Sequence, residues 1–246
     1  MIRICAGLTA MFALGSLVQL QTGASFAMPQ SKSAGAGSAK AKTQDLTGVY
    51  QLVEDSMVIP GGMKNSGSPD DVSLQPAALA KEKTADLEED GAKNCAPIGP
   101  FRMMAWRGNK IEFLMSPGRV TMLFENIALG HMRTFYLDRP HDTKLEPLWE
   151  GDSIAHWEKD TLVVDTNNFN EYVWLNSAGA PHSAKLYVIE RYRLIDEGKY
   201  LEVKVTAEDP SVLTKPYTYT RYYERTEAEV REMTCMDDVV RTLQQR

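Results

Sequence analysis

From Leu46 onward, apolar and polar residues tend to alternate with a period of two, the spacing that sets one face of a strand on a core and the other in water. Leu46–Glu54 is the first such run, and Thr-Gly-Val-Tyr-Gln-Leu-Val lies inside it. Residues 59–71 are rich in Gly, Ser and Pro and read as a loop. Gln75–Asp90 has the Ala, Leu, Lys and Glu of a helix, which Gly91 ends. A rigid connector, Asn94–Pro100, then leads into hairpins. Phe101–Arg107 and Lys110–Met115 flank the turn dipeptide Gly108-Asn109, and Arg119–Glu125 follows around Pro117-Gly118. Arg133–Asp138 comes next. Ser153–Glu158 and Thr161–Thr166 turn through Lys159-Asp160, and Lys185–Ile195 and Tyr200–Ala207 turn through Glu197-Gly198. Tyr217–Glu224 closes the series, and Glu227–Gln245 has helical composition.

Short turns imply antiparallel pairing, because parallel neighbours need long crossovers. A meander of this many strands must close, stack or leave an exposed edge. The expected fold is mainly β: an antiparallel up-and-down barrel or strongly curved sheet, lipocalin-like in architecture, with helices as plugs or flanks. The absence of a fixed-period repeat disfavours a propeller.

The first residues change the picture. Met1-Ile2-Arg3 is a short positive segment, Ile4–Leu20 is largely apolar, and Ser25-Phe26-Ala27 places small residues at −3 and −1 of a signal-peptidase site. Residues 1–27 therefore read as a signal peptide, with Met28 as mature start and a periplasmic or secreted destination. Cys5 lies too close to the N-terminus for a lipobox. Residues 28–44, rich in Ser, Ala, Gly and Lys, read as a flexible linker, and 45–246 as one β-rich domain with a C-terminal helix. No later stretch is long and apolar enough for a membrane span. Losing the leader leaves Cys95 and Cys235, the minimal set for a disulfide in an oxidising compartment; two unrelated buried thiols are the alternative. A net charge of −6 argues against a nucleic-acid partner.

Alternation also sorts the polar residues by face. Along Leu186–Leu194, Glu190 shares a face with Leu186, Val188, Tyr192 and Leu194. A carboxylate on a core face needs a partner or stays neutral. It is either part of a binding cavity or a buried ion pair with an arginine such as Arg133 or Arg221. Asp165 reads as solvent-facing. His131, His141, His156 and His182 make no metal-ligand spacing, so no metal and no cofactor is expected; acid/base work suits a histidine better. Neither a GxSxG elbow nor a glycine-rich phosphate loop occurs. Trp149, Trp157, Trp174 and Tyr219, in or beside the strands, could wall a pocket for a flat apolar or phenolic molecule, or simply fill a β core.

The segment from Asn94 to Cys235 resembles a family of exported bacterial proteins common in sphingomonads and acidobacteria. The resemblance rests on Asn94–Gly99, Arg102-Met103-Met104, Arg133–Asp138 with His141, Trp149–Ile154, Trp157–Thr166, Pro181-His182-Ser183, Glu190-Arg191, Asp209-Pro210 and Lys215-Pro216. The family carries glycine where His156, Lys159 and Asn168 stand. The resemblance implies no particular activity, but it picks out Arg133, Asp138, His141, His182, Glu190 and Arg191 as matched polar positions.

Three functions fit. One is a metal-independent acid/base enzyme (lyase, isomerase or hydrolase) on a small hydrophobic or phenolic molecule, with His182 or His141 paired to Glu190 and Arg133 or Arg191 holding an anionic group. The second is a periplasmic small-molecule carrier using the same pocket, and the third is a structural envelope protein. No protein partner is readable.

Overall fold

The computed structural model describes residues 43–108, 110–125 and 132–231. The expected signal peptide, nearly all of the linker, His131, Cys235 and most of the expected C-terminal helix lie outside the described residues; 227–231 are not helical.

Among the described residues, nine strands form one closed barrel in sequence order: β1 Gly48–Leu52, β2 Lys110–Ser116, β3 Arg119–Glu125, β4 Met132–Leu137, β5 Asp152–Glu158, β6 Thr161–Asn167, β7 Tyr187–Ile195, β8 Tyr200–Glu208 and β9 Tyr217–Thr226. β1 closes the ring on β9, from Val49 opposite Thr226 to Leu52 opposite Tyr223. An odd number of strands cannot alternate direction all the way round a ring. One neighbouring pair must run parallel, and here it is β4 and β5.

The strand alternation holds. Val188, Glu190 and Tyr192 of β7 pair with Ala207, Val205 and Val203 of β8, and all are buried. With Tyr50, Phe113, Met122, Phe135, Leu162, Val164, Tyr219 and Tyr223 they belong to the continuous inner core. Aromatic rings meet inside: Tyr192 lies 5.3 Å from Phe113 and 5.9 Å from Phe135, centroid to centroid.

The structure corrects the sequence reading at Phe101–Arg107. Instead of a strand, residues Pro100–Met103 form a helical turn, and β2 takes β1 as its partner. Pro100 suits the first helical position, and Gly99 before it has φ 75°. The turn is buried on every side, so no period-two pattern separates its faces: Phe101, Met103 and Met104 join the core, and Arg102 makes a two-pronged pair with Asp90 at 2.8 and 3.0 Å. Tyr219 and Tyr223 donate their hydroxyls to the Phe101 and Met104 carbonyls at 2.5 and 2.8 Å, fixing this plug to the barrel interior. The expected helix 75–90 is shorter, Pro76–Glu82 followed by a 3-10 turn at Leu87–Glu89. No helix among the described residues is long and apolar enough to cross a membrane.

Candidate functional site

The parallel seam is the weak point of the wall. Only Tyr136 with Ile154 and Leu137 with Ala155 are in register between β4 and β5, whereas every antiparallel neighbour pair has four or more positions. Beyond those two rungs the strands part around a pocket of about 510 Å³. Met132, Leu145, Leu148 and Trp149 supply apolar walls, and Trp149 is stacked on Tyr172, with centroids 5.7 Å apart. Tyr136 carries the Arg139 guanidinium, 3.5 Å above its ring centre. The polar lining includes Arg133, Arg139, Asp142, Glu150, Asp152 and Ser153.

Behind the pocket lies a buried polar network. Arg133 donates to both oxygens of Glu190, at 2.9 and 2.6 Å, and to the hydroxyls of Ser153 and Thr166, each at 3.2 Å. Those two hydroxyls are themselves 2.9 Å apart, and Tyr192 donates to Glu190 at 2.6 Å. Burial opposes the charge on Arg133, but the Glu190 carboxylate outweighs it and holds the guanidinium above its ordinary pKa. Burial, and then Glu190, push the Tyr192 phenol well above its usual range.

Glu150 bridges this network and the pocket, its Oε2 3.9 Å from Arg133 Nε. Burial raises its pKa to about 7; Arg133 opposes the rise and Glu190 adds to it. Gly151 makes the approach possible. Its φ is +69°, and a Cβ there would sit 2.5 Å from the Asn167 carbonyl oxygen.

On the outer side, Asp152 accepts from Arg139 at 3.1 Å, from the Asp142 N–H at 3.0 Å, and faces His141 Nδ1 at 2.9 Å. His141 Nε2 points to Asp165, 3.5 Å away. This is a carboxylate-oriented histidine, and its partner is Asp152 rather than Glu190.

The other sequence candidates scatter. The His182 ring nitrogens lie 2.9 and 2.7 Å from the Ser183 and Asn170 carbonyl oxygens, so this imidazole ties loops together and is not hydrogen-bonded to Glu190. Arg191, on the outer face of β7, pairs with Glu158 at 2.6 Å. Asp138 ends β4 in a left-handed turn, φ 55°. Trp157 packs against the core, Tyr219 is inside it, and Trp174 lies by Gly179. Of the expected ligand-binding residues, Arg133 and Trp149 line the seam pocket; Asp138, Arg191, Trp157, Trp174 and Tyr219 do not.

No family model matches the chain, and no curated protein matches its sequence. Among solved structures it is similar to a REP1-NXSQ fatty acid transporter, at 11% identity over 75% of this chain and 98% of that one, with a TM-score of 0.39. It is also similar to a Schistosoma mansoni fatty acid binding protein in complex with arachidonic acid (14% identity, 74% and 96% covered, TM-score 0.38). A fatty-acid-binding protein from Manduca sexta is a third (11%, 73% and 99%, 0.38). The likeness is one of fold alone.

Glu150, Ser153, Thr166, Tyr192, Asp152 and Arg139 were not legible as site residues. Tyr192 could have been found, since it shares the core face of Glu190. Glu150 sits in a turn, where alternation assigns no face.

Proposed function

We propose that this chain is an exported binding protein for a small, flat, largely apolar molecule held in the β4–β5 seam. The supporting observation is the pocket itself: about 510 Å³ at the shortest pairing of the barrel, with aromatic and aliphatic walls around a few polar groups. The barrel's centre is occupied by side chains, which favours the wall over the axis as the binding place. Export rests on the leader-like first 27 residues, with Cys95 and Cys235 joined in the mature protein.

Acid/base catalysis is a second reading, favoured by Glu150. A carboxyl held at about 7 beside an apolar pocket suits proton transfer near neutrality.

A thermal-shift screen of residues 28–246 against phenolic, steroid and fatty-acid compounds tests both. A ligand that binds the native state raises the melting temperature. A shift abolished by Trp149→Ala supports the seam pocket, and turnover of that ligand, lost in Glu150→Gln, supports the enzyme. No shift with any class removes the binding reading.

A further inference from the structure

We infer that the connection from β4 to β5 is a pH-sensitive strap over the seam pocket, fastened while His141 and His182 carry a second ring proton and released as they lose it. Fastening needs no ligand, so the strap stands apart from what the seam binds. Arg139, Asp142, Leu145 and Leu148 of this connection line the pocket. Residues 142–148 are all exposed, so burial holds little of the middle of the strap. A segment of this kind opens locally at low cost, and the polar contacts at its two ends decide how often.

Each end is held by an imidazole whose two nitrogens both face acceptors. At the first end, His141 Nδ1 lies 2.9 Å from Asp152 Oδ2 on β5, and its Nε2 lies 3.5 Å from Asp165 Oδ1 on β6. Nε2 and Asp165 Oδ1 are buried and hydrogen-bond to nothing else. The Asp142 N–H donates to the same Asp152 oxygen at 3.0 Å, Arg139 to the other, and the Tyr187 ring of β7 packs against the imidazole. At the second end, Leu148 is clipped to the segment after β6. Its N–H donates to the Asn168 carbonyl, and its own carbonyl accepts from the Asn170 N–H, both at 2.9 Å. His182 holds that segment, with Nε2 2.7 Å from the Asn170 carbonyl oxygen and Nδ1 2.9 Å from that of Ser183. The Phe169 ring packs on His182, and the Asp209 carboxylate lies one hydrogen bond further out, behind Ser183. A carbonyl or carboxylate oxygen only accepts, and a neutral imidazole has a single N–H. Whichever tautomer forms, one ring lone pair then faces an oxygen in each histidine; only the imidazolium completes both contacts. The fastened strap therefore binds more protons than the open one, and closure weakens as pH rises through the range in which histidine titrates.

The test is amide exchange read by NMR on the full mature chain, each rate divided by that of an unstructured peptide at the same pH. The Asp142 amide reports the first end, the Leu148 and Asn170 amides the second, and Val203 in β8 the barrel. Glu150, at the far end of the strap, also titrates near neutrality, so the parent and Glu150→Gln are run side by side. Between about pH 5.5 and about pH 8, protection at both ends should fall at least about tenfold in both proteins. The fall should follow the conversion of the His141 and His182 ring nitrogens to the neutral form. His141→Gln and His182→Gln should each show low protection at their own end already at about pH 5.5, changing there by less than about twofold up to about pH 8. Rings that lose their protons while strap protection stays constant overturn the inference, and the parent alone gives that result should a variant fail to fold. So does a fall that vanishes in Glu150→Gln, or one that persists in both histidine variants. An equal loss at Val203 overturns it too, because the barrel and not the strap is then what opens.

Discussion

Tyr192 and Glu190, two residues apart on one strand, are joined by a 2.6 Å hydrogen bond inside the barrel, and the carboxylate so fixed is also the two-pronged partner of Arg133. Three polar side chains from β4 and β7 thus satisfy one another in the middle of an aromatic core. Breaking such a pair from one side leaves a buried charge without its counter-ion, which costs about 3–5 kcal/mol, whereas replacing both members with apolar residues is often close to neutral. Glu190→Gln should therefore lower the unfolding free energy by several times as much as Arg191→Ala, whose exposed pair with Glu158 is of the kind worth about 0–1 kcal/mol. Arg133→Met with Glu190→Leu should recover most of the loss. Urea unfolding of the three variants and the parent checks this; a Glu190→Gln protein as stable as the parent would show that the network carries no structural weight.

The core face of β7 was readable because buried and more open residues alternate from Tyr187 to Arg193, and β8 does the same from Val203 to Glu208. The seam was not. Its strand direction follows from the number of strands in the ring, a property of the closed whole that no local pattern carries. Its key carboxyl, Glu150, lies in a turn fixed by Gly151 against β6, and within Phe101–Arg107 the run Phe101–Met104 is buried on all sides and has no exposed face to alternate with. The residue pattern identified the barrel and Glu190 with Arg133 as one of its two candidate partners; the choice between Arg133 and Arg221, and the pocket, required the third dimension.

Glu150 makes stability depend on pH. Its folded pKa of about 7 lies above the 4.5 of an ordinary glutamate, so between those values the folded state keeps a proton that the unfolded state has lost. Stability from this group is complete below about pH 4.5, falls as pH rises towards about 7, and levels off above that. The full swing is on the order of 3 kcal/mol. Glu150→Gln should flatten the melting temperature across this window and make the protein the more stable of the two at about pH 8. Parallel pH profiles for parent and variant would show that Glu150 is not held protonated.

Backbone geometry separates two turn positions that look alike in sequence. Gly151→Ala should be strongly destabilising, by more than about 2 kcal/mol, because it combines a left-handed φ with a Cβ forced onto the Asn167 carbonyl, Thr166 and Phe169. Lys159 also has a left-handed φ, 58°, at the hairpin between β5 and β6, but there the side chain is already accommodated. Lys159→Gly should cost nothing or gain a few tenths of a kcal/mol. Thermal melts of the two variants decide the matter, and equal effects would contradict the tight packing of Gly151 on β6.

The proposed Cys95–Cys235 bridge is open to direct chemistry. Cys95 is 1% exposed and sits after a short 3-10 turn next to the plug, while Cys235 lies outside the described residues. A bridge between them closes a loop of about 140 residues, for which the chain-entropy model gives roughly 4–5 kcal/mol. Protein purified from the periplasm without reductant should show no alkylatable thiol after denaturation and a two-dalton deficit in intact mass. Cys235→Ser should lower the melting temperature by about as much as reduction lowers that of the parent, and reduction should then have no further effect. Two alkylatable thiols in exported protein would remove the bridge and leave Cys95 as a core residue only.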